Sequence, residues 1–120
     1  MDIQDYQQSN KQVKRVGMVI KIRPECVQQY LSLHQEGHPG VRDLLQKYHL
    51  RNFSIFLHKI GSDFFEFGYY EYTAASFESG MAGFSAEQRN IEWLKLCDPM
   101  QLPLEGDSGW AIMQQIYYND

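Results

Sequence analysis

Positive charge is scarce in this sequence, and it contains no long apolar segment. Eleven Lys and Arg residues face 15 Asp and Glu residues, which gives a net charge of −4, and the basic residues are scattered. Because proteins that bind a phosphate backbone need clustered basic residues, nucleic acid is not an expected partner. No apolar run approaches the ~20 residues that span a bilayer, and residues 1–12 lack a signal peptide's apolar segment. We therefore expect a cytoplasmic protein with no membrane partner.

Closely spaced cysteines and the common nucleotide and hydrolase motifs are missing as well. Cys26 and Cys97 lie far apart and match no metal-ligand spacing, so reduced thiols are expected. The sequence contains no GxSxG, no P-loop and no GxGxxG. The usual signs of a nucleophile elbow or a phosphate-binding loop are therefore absent.

The chain has the length of one domain, and its first residues differ from the rest. Residues 1–12 are polar and predict a disordered tail, so we expect a single folded domain over residues 13–120. Residues 16–22 place apolar side chains at every second position, which predicts a half-buried strand. Pro24 would end that strand and begin a helix, which residues 37–40 (GHPG) are expected to kink or break.

The rest of the chain predicts further strands and a second helix. Strands are expected at residues 52–59, 64–72 and 110–118. Thr73 is expected to cap a helix that breaks near residues 83–87, and residues 98–109 predict a long loop. The resulting order, β-α-β-β-α-β, is that of an α+β, ferredoxin-like domain.

Aromatic residues are abundant, at 14% of the chain. In a ferredoxin-like domain the helices cover one face of the sheet and leave the other open. An open face rich in Phe and Tyr would be too large an apolar patch for a monomer, so we expect a homodimer.

Tyr30, His34 and His38 are spaced four apart and would share one face of a straight helix. Histidine donates and accepts protons near neutral pH because its ordinary pKa is ~6.5. His34 is either an acid/base group or a core residue whose ring bonds a backbone carbonyl. A metal is not expected, since Gln35 stands where zinc peptidases have glutamate and residues 37–39 disturb the helix.

Two tryptophans and two carboxylates complete the candidates. Trp93, on the second predicted helix, is either a core residue or a platform for the apolar face of a sugar ring. Trp110 opens the last predicted strand and has the same core alternative. Asp98 and Glu71 lie near the ends of predicted elements, but no spacing pairs them.

From residue 15 to residue 120 the chain resembles the L-rhamnose mutarotases. The resemblance rests on matches in order and spacing: Tyr30-x-x-x-His34-x-x-x-His38-Pro39, RNFSIF at 51–56, MAG at 81–83, EWLKLCDPMQ at 92–101, Trp110 and QIY at 115–117. Members of this family are small dimeric α/β barrels that need no cofactor. The resemblance therefore implies a homodimer, a dimeric α/β barrel and cofactor-free chemistry.

The resemblance also implies roles for individual residues. His34 matches the family's proton donor, and Tyr30 matches a tyrosine that contacts the sugar. The resemblance also predicts sugar contacts from His38, Phe53, Trp93 and Asp98. Three positions depart from the family pattern: Phe53 replaces a tyrosine, Leu94 replaces the second tryptophan of a pair, and His38 stands where many members carry tryptophan.

The function implied is the interconversion of the α and β anomers of L-rhamnose or a related deoxy-aldose such as L-fucose. Mutarotation needs only groups that move protons, each worth ~10²–10⁴-fold, so no cofactor is expected. Two alternatives remain open at this point. One is a cofactor-free oxygenase or dehydratase of the dimeric α/β-barrel type, and the other is a non-catalytic metabolite-binding dimer.

Overall fold

The computed structural model describes residues 13–120, so the tail predicted at residues 1–12 lies outside the described residues. The described chain is a mixed α/β domain in which a curled antiparallel sheet forms half a barrel beside four α-helices. The strands are β1 (Lys14–Ile22), β2 (Leu50–Ile60), β3 (Asp63–Tyr72), β4 (Gln101–Leu102) and β5 (Ala111–Met113). The helices are α1 (Val27–Leu33), α2 (Arg42–Lys47), α3 (Phe77–Ala86) and α4 (Gln88–Cys97), with 3₁₀ turns at Pro24–Cys26 and Asp98–Met100. None of these four helices is long and apolar enough to cross a membrane.

The sheet is built around β1, and its strand order is β2-β3-β1-β4. β3 pairs with β1 along the whole length of β1. The other edge of β1 is therefore shared, with residues 21–22 paired to β4 and residues 17–19 paired to β5. Alternate side chains of a strand share one face, and the predicted inward positions of β1 are confirmed as buried: Val16, Met18, Ile20 and Ile22.

Two clusters of buried side chains hold the helices on the sheet. One lies against α3 and comprises Val16, Met18, Leu50, Tyr70 and Tyr72. The other joins α1 to α4 and comprises Ile22, Val27, Tyr30, Cys97 and Met100. Because Trp93 packs on the second cluster, that cluster brings two residues of the predicted site together, Tyr30 from α1 and Trp93 from α4.

The first predicted helix is interrupted as expected from residues 37–40. α1 ends at Leu33, and α2 begins at Arg42. The Arg42 guanidinium donates hydrogen bonds of 3.0, 3.1 and 3.3 Å to the carbonyls of residues 34–36. These carbonyls follow the last residue of α1, and the Gln35 carbonyl also accepts from the His38 N–H at 2.9 Å. Arg42 therefore ties the end of α1 to the start of α2.

The second predicted helix is divided within the predicted break at residues 83–87, but its predicted cap is wrong. Ser76 precedes α3, and its hydroxyl accepts a hydrogen bond from the Ser79 N–H at 3.4 Å. The Thr73 N–H and hydroxyl both donate to the His49 carbonyl, at 3.1 and 3.3 Å. Thr73 therefore prolongs the contact between the ends of β2 and β3, and the helix begins later.

The C-terminal segment differs most from the prediction. The loop expected at residues 98–109 begins with a 3₁₀ turn and β4, and the strand expected at residues 110–118 is limited to β5. Pro103 has no N–H to donate, which ends β4 after two residues. The described order keeps the predicted alternation of strands and helices, with each helix divided in two and the short strand β4 added before the last one.

Candidate active site

A cavity of about 350 Å³ is lined by the sheet, by all four helices and by the loop between α1 and α2. Five of the six predicted site residues line it: Tyr30, His34, His38, Phe53 and Trp93. The volume lies in the ~300–1,000 Å³ range of small-molecule sites. The fold thus brings together side chains that are more than sixty positions apart in the sequence.

His34 lies at the C-terminus of α1, and its ring is held by the backbone. Nδ1 lies 2.8 Å from the carbonyl oxygen of Tyr30. Because a carbonyl oxygen only accepts, Nδ1 carries the proton in this bond. In the neutral ring Nε2 is then unprotonated and can accept a proton. The carbonyl bond expected of a core histidine is therefore present, but the ring also lines the cavity.

The environment of His34 favours the neutral ring. Burial lowers its pKa, and the nearby charges of Arg42 and His38 lower it further, while the bond to the Tyr30 carbonyl acts in the opposite direction. Since the ordinary pKa is 6.5, His34 is mostly neutral at pH 7. It is therefore suited to accept a proton first and to return it afterwards.

Tyr30, His34 and His38 do not share one helical face, as a straight helix would have required, because α1 ends at Leu33. They are instead gathered by aromatic contacts. Tyr30 stacks on His34 with ring centroids 4.3 Å apart. The Trp93 ring lies 5.3 Å from the His34 ring and 5.7 Å from the His38 ring.

The loop after α1 returns His38 to the cavity. Gly40 packs on the Trp93 ring and has a φ of +53°, a backbone conformation that glycine adopts without strain. The Nδ1 atom of His38 is buried, and no hydrogen-bond partner for it exists among the described residues. The His38 ring lines the cavity, but its Nδ1 atom is enclosed by protein atoms and is not exposed to a ligand there.

Tyr30 belongs to a buried polar network (Tyr30, Gln101, Glu66). The Gln101 side-chain amide donates to the Tyr30 hydroxyl at 3.1 Å and to Oε1 of Glu66 at 2.9 Å. Burial and the neighbouring Glu66 raise the pKa of Tyr30, which keeps its phenol protonated. Burial also raises the pKa of Glu66 to about 7, although the bonds to Tyr30 and Gln101 oppose this.

Sequence reasoning missed Glu66 and Gln101. Gln101 is the last residue of the matched motif at residues 92–101, but no role was assigned to it. Glu66 lies among the aromatic residues of β3 and was not singled out. One signal was available, because Glu66 is in phase with Gly68, Tyr70 and Tyr72, which face inward. A charged residue at an inward position of a strand needs a partner.

A second part of the lining is an apolar wall, formed by Met18, Phe53, Ile55, Phe84 and Trp110. The Phe53 ring is parallel to the Tyr70 ring within 2°, with centroids 5.5 Å apart. Phe53 lies in a bulge of β2, where the pairing register shifts and Asn52 has a φ of +54°. Bulges redirect side chains, and this one turns Phe53 to the cavity. The wall has no hydroxyl where the resemblance implies tyrosine.

Asp98 is the predicted site residue that the structure leaves outside the cavity. It is largely exposed in the 3₁₀ turn after α4, and partial burial of its carboxyl group raises its pKa. Glu71 bonds Asn52 and Tyr69 instead of cavity residues. Among residues 13–120, no three His, Cys, Asp or Glu side chains are grouped to hold a metal ion.

Comparisons with known proteins support the fold and identify the family. The crystal structure of a conserved protein from Methanosarcina mazei Go1 is similar at a TM-score of 0.55 and 15% identity, covering 92% of this chain and 99% of that one. At this identity the likeness concerns the fold alone. No curated protein matches the chain. The sequence model of a family described as L-rhamnose mutarotase matches residues 15–119, and the chain therefore belongs to the L-rhamnose mutarotase family.

Proposed function

We propose that this protein interconverts the α and β anomers of L-rhamnose or a related deoxy-aldose such as L-fucose, with His34 as the acid/base group. The observation that carries the proposal is the position of His34. Its Nδ1 is bonded to the Tyr30 carbonyl, and its ring lines a cavity of monosaccharide size. Membership of the family supports a sugar mutarotase.

The proposed reaction moves one proton between two oxygens of the sugar. Nε2 of His34 takes the proton from the anomeric hydroxyl and delivers it to the ring oxygen. The bond between C1 and the ring oxygen breaks, which gives the open-chain aldehyde. After rotation about the C1–C2 bond, the steps run in reverse and the other anomer forms. One positioned group of this kind is worth ~10²–10⁴-fold.

Tyr30 has a supporting role in this proposal. Its raised pKa makes loss of the phenol proton costly, so the hydroxyl is suited to donate a hydrogen bond and to keep its proton. A neutral donor of this kind stabilises negative charge as it develops on a sugar oxygen. Trp93 would cover the apolar face of the ring, and His38 would bond one hydroxyl.

The deciding experiment measures anomer exchange by NMR saturation transfer, with and without protein, over a panel of aldoses. We expect acceleration, greatest for a deoxy-aldose, because the apolar wall suits a methyl group better than a hydroxymethyl group. Binding without acceleration would favour a non-catalytic dimer. Consumption of a sugar or of oxygen would favour the dehydratase or oxygenase alternative.

We also propose that the chain forms a homodimer of ferredoxin-like domains, a dimeric α/β barrel, and acts in the cytoplasm. Large apolar side chains on β2, β5 and the C-terminal residues support the dimer, with Phe56 65% exposed and Ile116 88% exposed. Groups of exposed apolar side chains mark interfaces. Sedimentation as a monomer at micromolar concentration would contradict it.

A further inference from the structure

Glu66 is a carboxyl group in the core that the proposed reaction does not use. It lies on β3 with 0% of its surface exposed, and it does not line the cavity. Its Oε1 accepts one hydrogen bond, while its buried Oε2 has no hydrogen-bond partner among the described residues. Burying an ionisable carboxyl without full pairing is unfavourable. An apolar residue at this position of β3 would avoid that penalty.

Glu66 is in contact with residues that line the cavity. The Gln101 Nε2 atom donates at 2.9 Å to Glu66 and at 3.1 Å to the Tyr30 hydroxyl. A primary amide has two N–H groups, so each acceptor can take one. Both Gln101 and Tyr30 line the cavity. The Tyr30 hydroxyl also interacts directly with the Glu66 carboxyl group, so Glu66 holds Tyr30 both directly and through Gln101.

We propose that Glu66 is a positioning residue for the reaction: its carboxylate holds the Gln101 amide and the Tyr30 hydroxyl, which fixes the Tyr30 ring that stacks on His34. The inference rests on the mutarotase function proposed above. Glu66 acts through Gln101 and Tyr30 and touches no sugar atom.

The charge of Glu66 gives this role a pH dependence. The titratable groups that face it are Tyr30 from α1 and Cys97 from α4, with the uncharged Gln101 from β4. The pKa of Tyr30 is raised, and burial raises that of Cys97 to about 12. Near neutral pH both stay uncharged, so Glu66 is the member of this group that changes charge.

The ionised form of Glu66 is the better acceptor. Hydrogen bonds to a charged acceptor are stronger than those to a neutral one, so Gln101 is held more firmly above pH 7 than below it. The exchange rate should therefore rise as the pH passes through 7. Because the pKa of His34 is lowered, the titration of His34 affects the exchange rate at lower pH than that of Glu66. The two effects can therefore be separated.

The test compares Glu66→Gln with Glu71→Gln in the full chain. Glu71 is a matched control, because it lies on the same strand, faces the other way and bonds Asn52 and Tyr69 outside the cavity. Anomer exchange of L-rhamnose is measured from pH 5 to pH 9. Glu66→Gln should lower the rate about tenfold, with a smaller change in sugar affinity, and should remove the inflection near pH 7. Glu71→Gln should keep the wild-type rate and profile.

The outcomes separate this inference from the function. A wild-type rate and pH profile in Glu66→Gln would overturn the role of Glu66 and leave the mutarotase function standing. A wild-type protein that accelerates no aldose would overturn both. If Glu66→Gln does not fold, the carboxyl of wild-type Glu66 can be titrated by ¹³C NMR with and without saturating L-rhamnose. Coupling is reciprocal, so sugar must shift the midpoint, and an unchanged midpoint would refute the inference.

Discussion

The cavity joins two regions of different chemistry, the buried polar network (Tyr30, Gln101, Glu66) and the apolar wall. The network is fixed by hydrogen bonds of 2.9 and 3.1 Å, whereas the wall is fixed by packing, as in the stack of Phe53 on Tyr70. Hydrogen bonds are directional and apolar contacts are not. The network is therefore suited to place a proton donor, and the wall is suited to select a shape.

Of the three departures from the family pattern, one lies in the apolar wall and none lies in the polar network. Tyr30 and His34, which stack on each other next to the network, match the residues expected from the resemblance. Phe53 lies in the wall, and it replaces a tyrosine. If the proposed roles hold, proton transfer and sugar choice depend on different side chains, and one can change while the other is kept.

The largest effect is expected from the residue proposed to transfer the proton. His34→Ala should slow anomer exchange on the order of 10²-fold or more, because the acid/base group is lost. Sugar binding should survive, since the aromatic contacts remain. Saturation transfer measures exchange, and circular dichroism measures thermal unfolding of the same sample.

His38→Ala is the control for that variant, because His38 also contacts Trp93 but has no assigned proton-transfer step. It should weaken sugar binding more than it slows turnover. A His34→Ala protein that melts early yet exchanges anomers at the wild-type rate would mean that His34 is a core residue only.

The fold could be predicted from the sequence where local patterns decide it. The alternation from Val16 to Ile22 gave β1, and the GHPG stretch at residues 37–40 gave the helix break, because strand periodicity and proline act on their own neighbours. The cap at Thr73 was predicted wrongly, and the C-terminal strand was predicted too long, for the opposite reason. Thr73 bonds His49, and β4 and β5 share one edge of β1. Neither contact is local.

The site residues can also be divided into those that local sequence patterns reveal and those that they do not. Tyr30, His34 and Trp93 were found because their order and spacing match a known family. The polar network was not found, because Gln101 lies 71 positions from Tyr30 and 35 from Glu66. No local pattern joins such residues. A pairing between distant polar side chains becomes visible only when β3, β4 and α1 are in place.

The next largest effect is a pH dependence of stability, and it should arise from the polar network and not from the apolar wall. The pKa of Glu66 rises from 4.5 to about 7 on folding, so the folded state holds this proton more tightly than the unfolded chain does. Its contribution to the free energy of unfolding is full below pH 4.5 and is lost as the pH rises through 7. The expected loss is at most about 3 kcal/mol.

Glu66→Gln should remove this dependence. Thermal unfolding of wild type and variant at pH 5 and pH 8 measures it, and the difference between the two proteins cancels other groups such as His34. Glu71→Gln should keep the wild-type slope. Parallel stability curves for wild type and Glu66→Gln would mean that Glu66 titrates alike in both states.

A smaller effect is expected from the ring that lies between the two histidines. Trp93→Ala removes a ring centred 5.3 Å from His34 and 5.7 Å from His38. Sugar affinity should fall on the order of tenfold, the upper part of what one aromatic contact contributes. Leu94→Ala is the neighbouring control and should change affinity less. Calorimetry with L-rhamnose gives both values. Equal losses in the two variants would remove Trp93 as the sugar platform.

The smallest expected effect tests the apolar wall. Phe53→Tyr adds one hydroxyl to a side chain that lines the cavity and leaves the His34 contacts unchanged. If the wall sets sugar choice, the ratio of exchange rates for L-rhamnose and L-fucose should change several-fold, within the range that one hydrogen bond supplies. Phe56→Tyr adds the same hydroxyl on the same strand, but its side chain is 65% exposed and does not line the cavity, so its ratio should stay at the wild-type value. A change in the absolute rate for both sugars, with the ratio constant, would mean that the wall affects proton transfer as well. The two regions would then not be separable.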